Sequence, residues 1–149
     1  MDIYAKYNSN TFSRDSFNKI ILAQLEKQFD FHLTSNIEDK EVWFVDVIDS
    51  ALLRSYMVHD NNHTSSSWMG SKFHGHNFSL SDVFLLAETQ VKGNHFFYVS
   101  PLSEQLAESK YSISFSKNLK KLIKESSDIY GLQVSLKNHP IKLFKLYFD

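Results

Sequence analysis

Tyr111-Ser-Ile-Ser-Phe115, continued by Ser116–Tyr130 and Gly131, is the stretch of sequence that decides the fold class. Apolar and polar side chains alternate from 111 to 115, which predicts a half-buried β-strand. Residues 116–130 then carry apolar side chains at helical spacing, and the glycine that follows predicts the end of the helix. The inward-facing helix positions are Leu119, Leu122 and Ile123. A strand followed at once by an amphipathic helix predicts a fold that mixes both elements.

The rest of the chain continues this mixture of helices and strands. The predicted helices are residues 13–29, 79–89, 100–109 and 116–130. The predicted strands are residues 42–48, 95–99, 111–115, 132–136 and 141–148, with a turn at 137–140. Residues 52–58 fit either a strand or a helical turn. These segments predict one α+β domain over residues 1–149, with a mixed sheet of about five strands and three to four helices mainly on one face.

The composition argues against several classes of enzyme. The chain has no cysteine, which excludes disulfides, thiolate zinc sites and a cysteine nucleophile. It has 4 glycines and 2 prolines, and it lacks the glycine-built motifs that bind nucleotide phosphates or present a nucleophilic serine. The sequence also lacks a signal-peptide core and an apolar run of membrane-spanning length. These features predict a soluble, cytoplasmic protein without a cofactor.

The most unusual segment is the polar stretch from His59 to Phe78. It holds four of the seven histidines, two of the four glycines and Trp68. The histidines are His59, His63, His74 and His76. Because such side chains on an irregular segment are typical of binding and catalytic loops, we expect a functional loop here. The four imidazoles could supply nitrogen ligands for zinc, but exposed loop histidines are the simpler interpretation and no metal site is expected.

Two further residues have notable positions. His32-Leu-Thr34 fits one half of the paired H-x-[ST] pattern of phosphodiesterases, but a second copy on a strand is missing. We therefore interpret His32 as a structural residue at the end of the first helix, where a cation complements the helix dipole. Asp46 shares a strand face with Phe44 and Ile48, so we expect a partly buried carboxylate with a structural partner, either a lysine or a helix amide.

The charges divide unevenly along the chain. Residues 1–109 carry 8 Lys and Arg against 14 Asp and Glu, whereas residues 110–149 carry 8 against 3. This asymmetry fits either a partner-facing surface or attraction between the two parts within one fold. The helix at 116–130 has a lysine face that could meet phosphates, formed by Lys117, Lys120, Lys121 and Lys124. With only two arginines in the chain, a solvated helix face explains these lysines and nucleic-acid binding is not expected.

By elimination, the sequence favours a protein-binding module. The concrete hypothesis is a bacterial immunity-type inhibitor that occludes the active site of a toxin, such as a nuclease, with an acidic and aromatic surface. The expected partner-contacting residues are Glu38, Asp39, Glu41, Asp49, Asp60, Tyr56, Trp68 and Phe73. The competing hypothesis is a metal- or histidine-dependent hydrolase or nuclease that uses the His59–His76 loop. A structural subunit of an assembly is a third possibility.

Overall fold

The computed structural model describes residues 23–28, 31–59 and 63–148. The chain divides by its contacts into two compact units, residues 40–139 and residues 1–39 with 140–149. In the smaller unit, residues 23–28 are helical and form the described part of helix α1. They agree with the predicted helix at 13–29, whose other residues lie outside the described ones.

The element order confirms the predicted α+β class. The helices after α1 are α2 (Ser50–Arg54), α3 (Leu80–Gln90), α4 (Glu104–Glu108) and α5 (Leu119–Tyr130). The strands are β1 (Phe31–Val47), β2 (Ser65–Met69), β3 (Lys72–Phe78), β4 (Phe97–Val99), β5 (Tyr111–Ser116) and β6 (Leu132–Phe148). For residues 52–58, which fit either a strand or a helical turn in the sequence, helix α2 shows that the chain forms a helical turn at Ser50–Arg54.

The described strands form two three-stranded sheets rather than one sheet of about five strands. The first has the order β4-β1-β6, and β4 runs parallel to β1, with Trp43 opposite Phe97 and Val45 opposite Val99. The second has the order β2-β3-β5 and is antiparallel throughout. This second sheet lies entirely within residues 40–139 and carries the candidate site.

Capping side chains fix the starts of the two longest helices. The hydroxyl of Ser79 accepts a hydrogen bond from Asp82 N at 3.1 Å and donates one to the Asp82 carboxylate at 2.7 Å. Helix α3 therefore begins where the sequence predicts, because these contacts satisfy backbone groups that the first turn leaves unpaired. Asn118 Oδ1 accepts in the same way from Lys121 N at the start of α5.

Gly131 ends α5 and ties this helix to the end of β1. Its φ of +67° is left-handed, the conformation that favours glycine after a helix. Its carbonyl accepts hydrogen bonds from Ile48 N at 2.9 Å and from Asp49 N at 3.0 Å. The predicted helix stop is confirmed, and it also anchors the chain that leads into α2.

The core of residues 40–139 is built around aromatic rings. The ring centroid of Phe115 lies 5.2 Å from that of Tyr130, 5.5 Å from that of Phe84 and 6.0 Å from that of Phe73. Aliphatic side chains complete the packing, and the fully buried ones include Leu53, Leu80, Val83, Leu122 and Leu132. Each such side chain contributes roughly 1.5–3 kcal/mol by leaving water. The sheet β2-β3-β5 thus turns one face toward this core.

The predicted turn at residues 137–140 is wrong. Strand β6 runs without a break from Leu132 to Phe148 and passes through Pro140. It is an edge strand of its sheet, and an edge position tolerates proline because a nitrogen that faces away from the neighbouring strand needs no partner there. The two strands predicted at 132–136 and 141–148 are therefore one.

Two other predictions are wrong in position. Helix α4 begins at Glu104 after Ser103, and Ser100 does not cap it. The nitrogen of Ser100 donates to Val45 O at 2.9 Å, so this residue extends the pairing of β4 with β1. His32 lies within β1 and not at the end of a helix, because β1 begins at Phe31, well before the predicted strand at 42–48.

Candidate functional site

The polar stretch predicted as a loop folds mostly into a β-hairpin. Strands β2 and β3 pair antiparallel, from Ser65 opposite His76 to Met69 opposite Lys72. The two residues between them are Gly70 and Ser71, and Gly70 has a φ of +59°, as the first residue of a type II′ turn requires. The side chains of residues 65–69 and 72–76 therefore stand on a regular sheet with fixed directions.

One face of this sheet carries hydroxyl and imidazole side chains in two rows. Residues directly opposite each other in antiparallel strands point to the same face. The first row consists of Ser65, His76 and Ser112. The second row consists of Ser67, His74 and Ser114. The alternate residues of β3 and β5, which include Phe73 and Phe115, point into the core.

Ser112 connects the two histidines of this face. Its hydroxyl oxygen lies 3.2 Å from His74 Nε2 and 3.3 Å from His76 Nδ1. The two imidazole rings are stacked, with centroids 6.4 Å apart. Burial lowers the pKa of His74 below its ordinary value, and the positive charge that His76 can carry lowers this pKa further. His74 is therefore readily neutral, and a neutral imidazole offers one nitrogen as an acceptor.

This His74–Ser112–His76 cluster can support proton transfer, since a neutral imidazole within hydrogen-bond distance of a hydroxyl can accept its proton. It is less suited to a metal ion. Within residues 23–28, 31–59 and 63–148, no three or more His, Cys, Asp or Glu side chains are grouped to hold a metal ion. The four histidines considered as zinc ligands are therefore not assembled into such a site within these ranges.

The two edges of the β2-β3-β5 sheet differ. At the β5 edge, the hydroxyl of Tyr130 accepts from Ser114 N at 2.9 Å and donates to Ser114 O at 2.8 Å. Glu125 covers the same edge by accepting from Ser116 N at 2.7 Å. At the other edge, β2 pairs with β3 on one side, and all of its residues are exposed.

The β2 edge, defined as residues 65–69, lacks two side-chain features that commonly block pairing with another chain. Its sequence Ser-Ser-Ser-Trp-Met contains no charged residue and no proline, the residues with which proteins commonly block an edge strand. Trp68 is 63% exposed and Met69 is 87% exposed at the hairpin tip. An extended segment of another protein could therefore add to this sheet and also cover a large apolar side chain.

The acidic residues expected to contact a partner lie on different parts of the chain. Asp39 and Glu41 are exposed in β1. Glu38 is half-buried, and its carboxylate accepts from Asn36 Nδ2 at 2.6 Å. The carboxylate of Asp49 accepts from Leu52 N at 2.9 Å and caps α2, so its local role is structural. Asp60 lies outside the described residues.

The expected aromatic residues differ strongly in exposure. Trp68 is largely exposed, whereas Phe73 is only 1% exposed and packs in the core. The two are direct cross-strand partners, so the structure brings them together on one face of the hairpin. Tyr56 is half-buried, and its ring meets that of Tyr130 edge-on at 4.7 Å between centroids. Of these three side chains, Trp68 is the one that a partner can cover extensively.

Asp46 has the lysine partner that its strand position predicts. The Nζ of Lys137 lies 3.1 Å from its carboxylate and also 4.4 Å above the centroid of the Phe44 ring. The ammonium therefore gains both an ion pair and a cation–π contact. This pairing gives Asp46 a structural role, as expected.

Two features of this site were missed in the sequence. The hairpin has a recognisable signal, because Gly70-Ser71 separates two short runs that contain Trp68 and Phe73, and a Gly-Ser pair in such a place is typical of a two-residue hairpin. Ser112 has no such signal. It reaches the histidines only because β5, far away in sequence, pairs with β3.

Comparison with protein-family models, with curated proteins and with solved structures finds no match for this chain. None of the helices in the described part of the chain is both long and apolar enough to cross a membrane.

Proposed function

We propose that this chain is a small protein-binding protein, most concretely an immunity-type inhibitor that neutralises a toxin by occluding its active site. The observation that carries the proposal is the exposed Trp68 on β2, an edge strand whose residues are all exposed. Tryptophan is among the residues that contribute most to binding energy at interfaces. Among the described strands β2 pairs only with β3, and a partner strand on its other side would stabilise both the sheet edge and the exposed ring.

The neighbours of Trp68 support such a role. Ser65, Ser66 and Ser67 are short and uncharged, so they leave a partner strand free to approach the backbone of β2. Phe73, opposite Trp68 on β3, is held by the core and gives the hairpin a fixed shape. A preorganised surface loses less entropy when it binds.

The acidic residues add the electrostatic part of the proposal. Asp39 and Glu41 are exposed, and the chain up to residue 109 has an excess of acidic over basic residues. A nuclease toxin binds phosphates with a basic active site, so an acidic inhibitor surface would speed association and fix the register of the complex. In this proposal Glu38 and Asp60 contribute to the same acidic character.

The test compares variants that remove one exposed aromatic ring. Trp68→Ala is the variant, and Phe96→Ala is the matched control because Phe96 is 54% exposed in the same unit. The immobilised protein captures partners from extracts of its source, and the captured protein is then purified for affinity measurements. We expect Trp68→Ala to weaken binding at least about tenfold and Phe96→Ala to leave it unchanged. Equal affinity of both variants for the captured protein would contradict the proposal.

The inhibitor part of the proposal has its own test. The captured protein is expressed alone in a bacterium, where we expect it to arrest growth, and co-expression of the wild-type chain should restore growth. Charge reversal at Glu38, Asp39 and Glu41 should weaken this rescue and reduce the salt dependence of binding. A captured protein without toxicity would restrict the proposal to protein binding.

A hydrolase is the second candidate, and one observation favours it. Ser112 lies between two imidazoles, and the lowered pKa of His74 favours its neutral form, which is able to accept a proton. In this form of the enzyme hypothesis, the reactive groups lie on the face formed by β3 and β5 and not along the whole His59–His76 segment. If Ser112→Ala abolishes a phosphodiesterase or esterase activity of the purified protein without unfolding it, the hydrolase hypothesis is preferred over the protein-binding proposal.

A further inference from the structure

A cavity of about 780 Å³ lies where the β2–β3 hairpin turn, the end of α3 and the start of α5 come together. Its volume lies within the range of small-molecule sites. The lining residues used below are Ser71, Lys92, Lys117, Asn118 and Lys120. All of them belong to residues 40–139, so the cavity is contained in one compact unit.

The lining of this cavity carries three ammonium groups. Lys92 follows α3, Lys117 lies between β5 and α5, and Lys120 lies in the first turn of α5. None of the lining residues in the described part of the chain is Asp or Glu. Because a concave site lined by charges of one sign focuses their field, these lysines favour an anion in the cavity.

The carboxylates on the neighbouring helices are bound to other groups. Glu125 of α5 accepts from Ser116 N at 2.7 Å and lies 3.7 Å from Lys72 Nζ. Glu88 of α3 accepts from Phe97 N at 2.9 Å. Within the described residues, no ion pair involves any of the three cavity lysines. Their mutual repulsion is therefore not balanced by these acids, and a bound anion would relieve it.

Backbone contacts fix the segments that carry the lysines. Lys117 N donates to Ser71 O at 2.8 Å, which joins the chain before α5 to the hairpin turn. His95 Nε2 lies 3.1 Å from Lys92 O, so a side-chain contact also holds the turn after α3. The cavity thus has a fixed frame, and a preorganised site loses less entropy when it binds a ligand.

The neutral polar side chains of the lining can donate hydrogen bonds. Asn118 Oδ1 accepts from Lys121 N at 3.1 Å, and the Nδ2 of the same amide can donate to a ligand. The hydroxyl of Ser71 can donate as well. Lysine commonly binds phosphate as a point charge, and this mode of binding needs no glycine-built loop. One phosphate carries about −1.5 to −2 charge, so two linked phosphates match three ammoniums better than one does.

The structure also divides the lysine face that the sequence predicts for this helix. Lys117 and Lys120 line the cavity together with Lys92. Lys121 and Lys124 are exposed and are not among its lining residues. Two lysines of this face therefore belong to a concave site, and the other two provide matched controls.

We infer that this cavity binds a small molecule that carries a diphosphate group. The three ammoniums bind the phosphate oxygens, and Ser71 and Asn118 donate hydrogen bonds to them. The site goes beyond the protein-binding proposal and is independent of it, because it uses no residue of the β2 edge.

The experiment is a titration of the isotope-labelled protein with inorganic pyrophosphate, followed by NMR at constant ionic strength. Sulfate is the control ligand, since it is also an oxyanion but carries less charge. We expect saturable shifts of the amide resonances of residues 71, 92 and 117–120, and at least about tenfold weaker binding of sulfate. No saturable shift with pyrophosphate, or equal binding of the two anions, would overturn the inference.

Lysine variants assign the binding to the cavity. Lys92→Gln, Lys117→Gln and Lys120→Gln should each weaken pyrophosphate binding about fivefold or more, because each removes one of the three charges. Lys121→Gln and Lys124→Gln remove the same charge from the same helix outside the cavity, and they should change binding less than about twofold. The amide spectrum of each variant shows whether it keeps the fold. If the control variants weaken binding as much as the cavity variants, the assignment is wrong.

A single-stranded oligonucleotide distinguishes a small ligand from nucleic acid. At equal phosphate concentration it should displace pyrophosphate poorly, because its phosphates carry one charge each and are separated by sugars. If the oligonucleotide binds to the same lysines more tightly than pyrophosphate does, the inference of a small diphosphate ligand is overturned.

Discussion

At the scale of single residues, His74 has the environment that is most sensitive to pH. It is half-buried beside His76 on the face of the sheet that points away from the aromatic core, and Ser112 contacts both rings. Burial and the charge of His76 lower its pKa in the folded protein. The folded state therefore binds a proton at His74 less readily than the unfolded chain does.

This difference predicts how stability changes with pH. A histidine whose pKa is lowered by folding costs nothing above its unfolded pKa, and it destabilises the fold as pH falls from about 6.5 through the lower folded value. The unfolding free energy should therefore decrease over that interval, and His74→Gln should make the decrease smaller. Denaturant unfolding at several pH values measures this. An unchanged pH dependence in His74→Gln would show that other groups cause it.

The environment of Asp46 could be predicted from its neighbours in sequence, whereas that of Asn77 could not. Asp46 was predictable, because a carboxylate on a strand face between apolar side chains needs a partner, and Lys137 supplies it at 3.1 Å. Asn77 was not, since its burial follows from the shift in strand register between His76 and Phe78. That shift depends on pairing with β5, which local sequence does not encode.

At the scale of elements, Gly131 joins the end of α5 to the chain after β1. A side-chain carbon at Gly131 would lie 2.5 Å from Asp49 O, and the residue also has a positive φ. Gly131→Ala should therefore lower the unfolding free energy by about 2 kcal/mol or more, from backbone strain and steric overlap together.

Gly70 provides the matched control for this prediction. It has a φ of +59°, but a side-chain carbon there would meet nothing within 4 Å. Gly70→Ala should cost only the backbone strain, about 1 kcal/mol. Chemical denaturation of both variants measures the difference. Equal losses would mean that the contact with Asp49 has no energetic weight.

Helix α5 stabilises the sheet through Tyr130, whose hydroxyl pairs with both backbone groups of Ser114. Tyr130→Phe should lower the unfolding free energy by about 1–3 kcal/mol, because it leaves these groups without that partner. Tyr56→Phe is the control, as Tyr56 is half-buried and its hydroxyl has no hydrogen bond among the described residues. Equal effects of the two changes in thermal or denaturant unfolding would contradict this role.

Most elements could be predicted from local patterns, and the errors have physical causes. The start of the helix at 79–89 follows from its cap Ser79, and the end of the helix at 116–130 follows from Gly131. The predicted start at 116 is wrong, because Ser116 ends β5 and α5 begins at Leu119 after its cap Asn118. The long strand β6 could not be predicted in the same way. Pro140 resembles a turn signal, and only the edge position of β6 in the sheet makes it compatible with a strand.

At the scale of the whole chain, the uneven charge distribution has a partial structural explanation. Asp46 of the acidic part pairs with Lys137 of the basic part, as attraction within one fold requires. Lys72 and Glu125, 3.7 Å apart, join the two parts with the opposite signs. Ion pairs within the fold thus join an acid of residues 1–109 to a lysine of residues 110–149, and also a lysine of the first part to an acid of the second. In the proposal, exposed acids such as Asp39 and Glu41 contact the partner.

The candidate site is the part that sequence predicted least completely. Trp68 could be selected as an interface residue from its type and its polar surroundings. Its position on an edge strand depends on which strands pair: α5 contacts the β5 edge through Tyr130 and Glu125, and β2 is the other edge of the sheet formed by the described strands. Such tertiary pairings are long-range in sequence and leave no local signal.

Hydrogen exchange of the backbone amides of Ser65–Met69, measured free and in complex with the captured protein, tests the β2 edge most directly. Strand addition would place new hydrogen bonds on the alternate amides of this strand that point away from β3, so the exchange of those amides should slow markedly in the complex, with Trp68 covered at the same time. Amides of β5, already covered by α5, should change little. Unchanged exchange over residues 65–69, with protection elsewhere on the molecule, would contradict the proposal that the β2 edge is the docking surface.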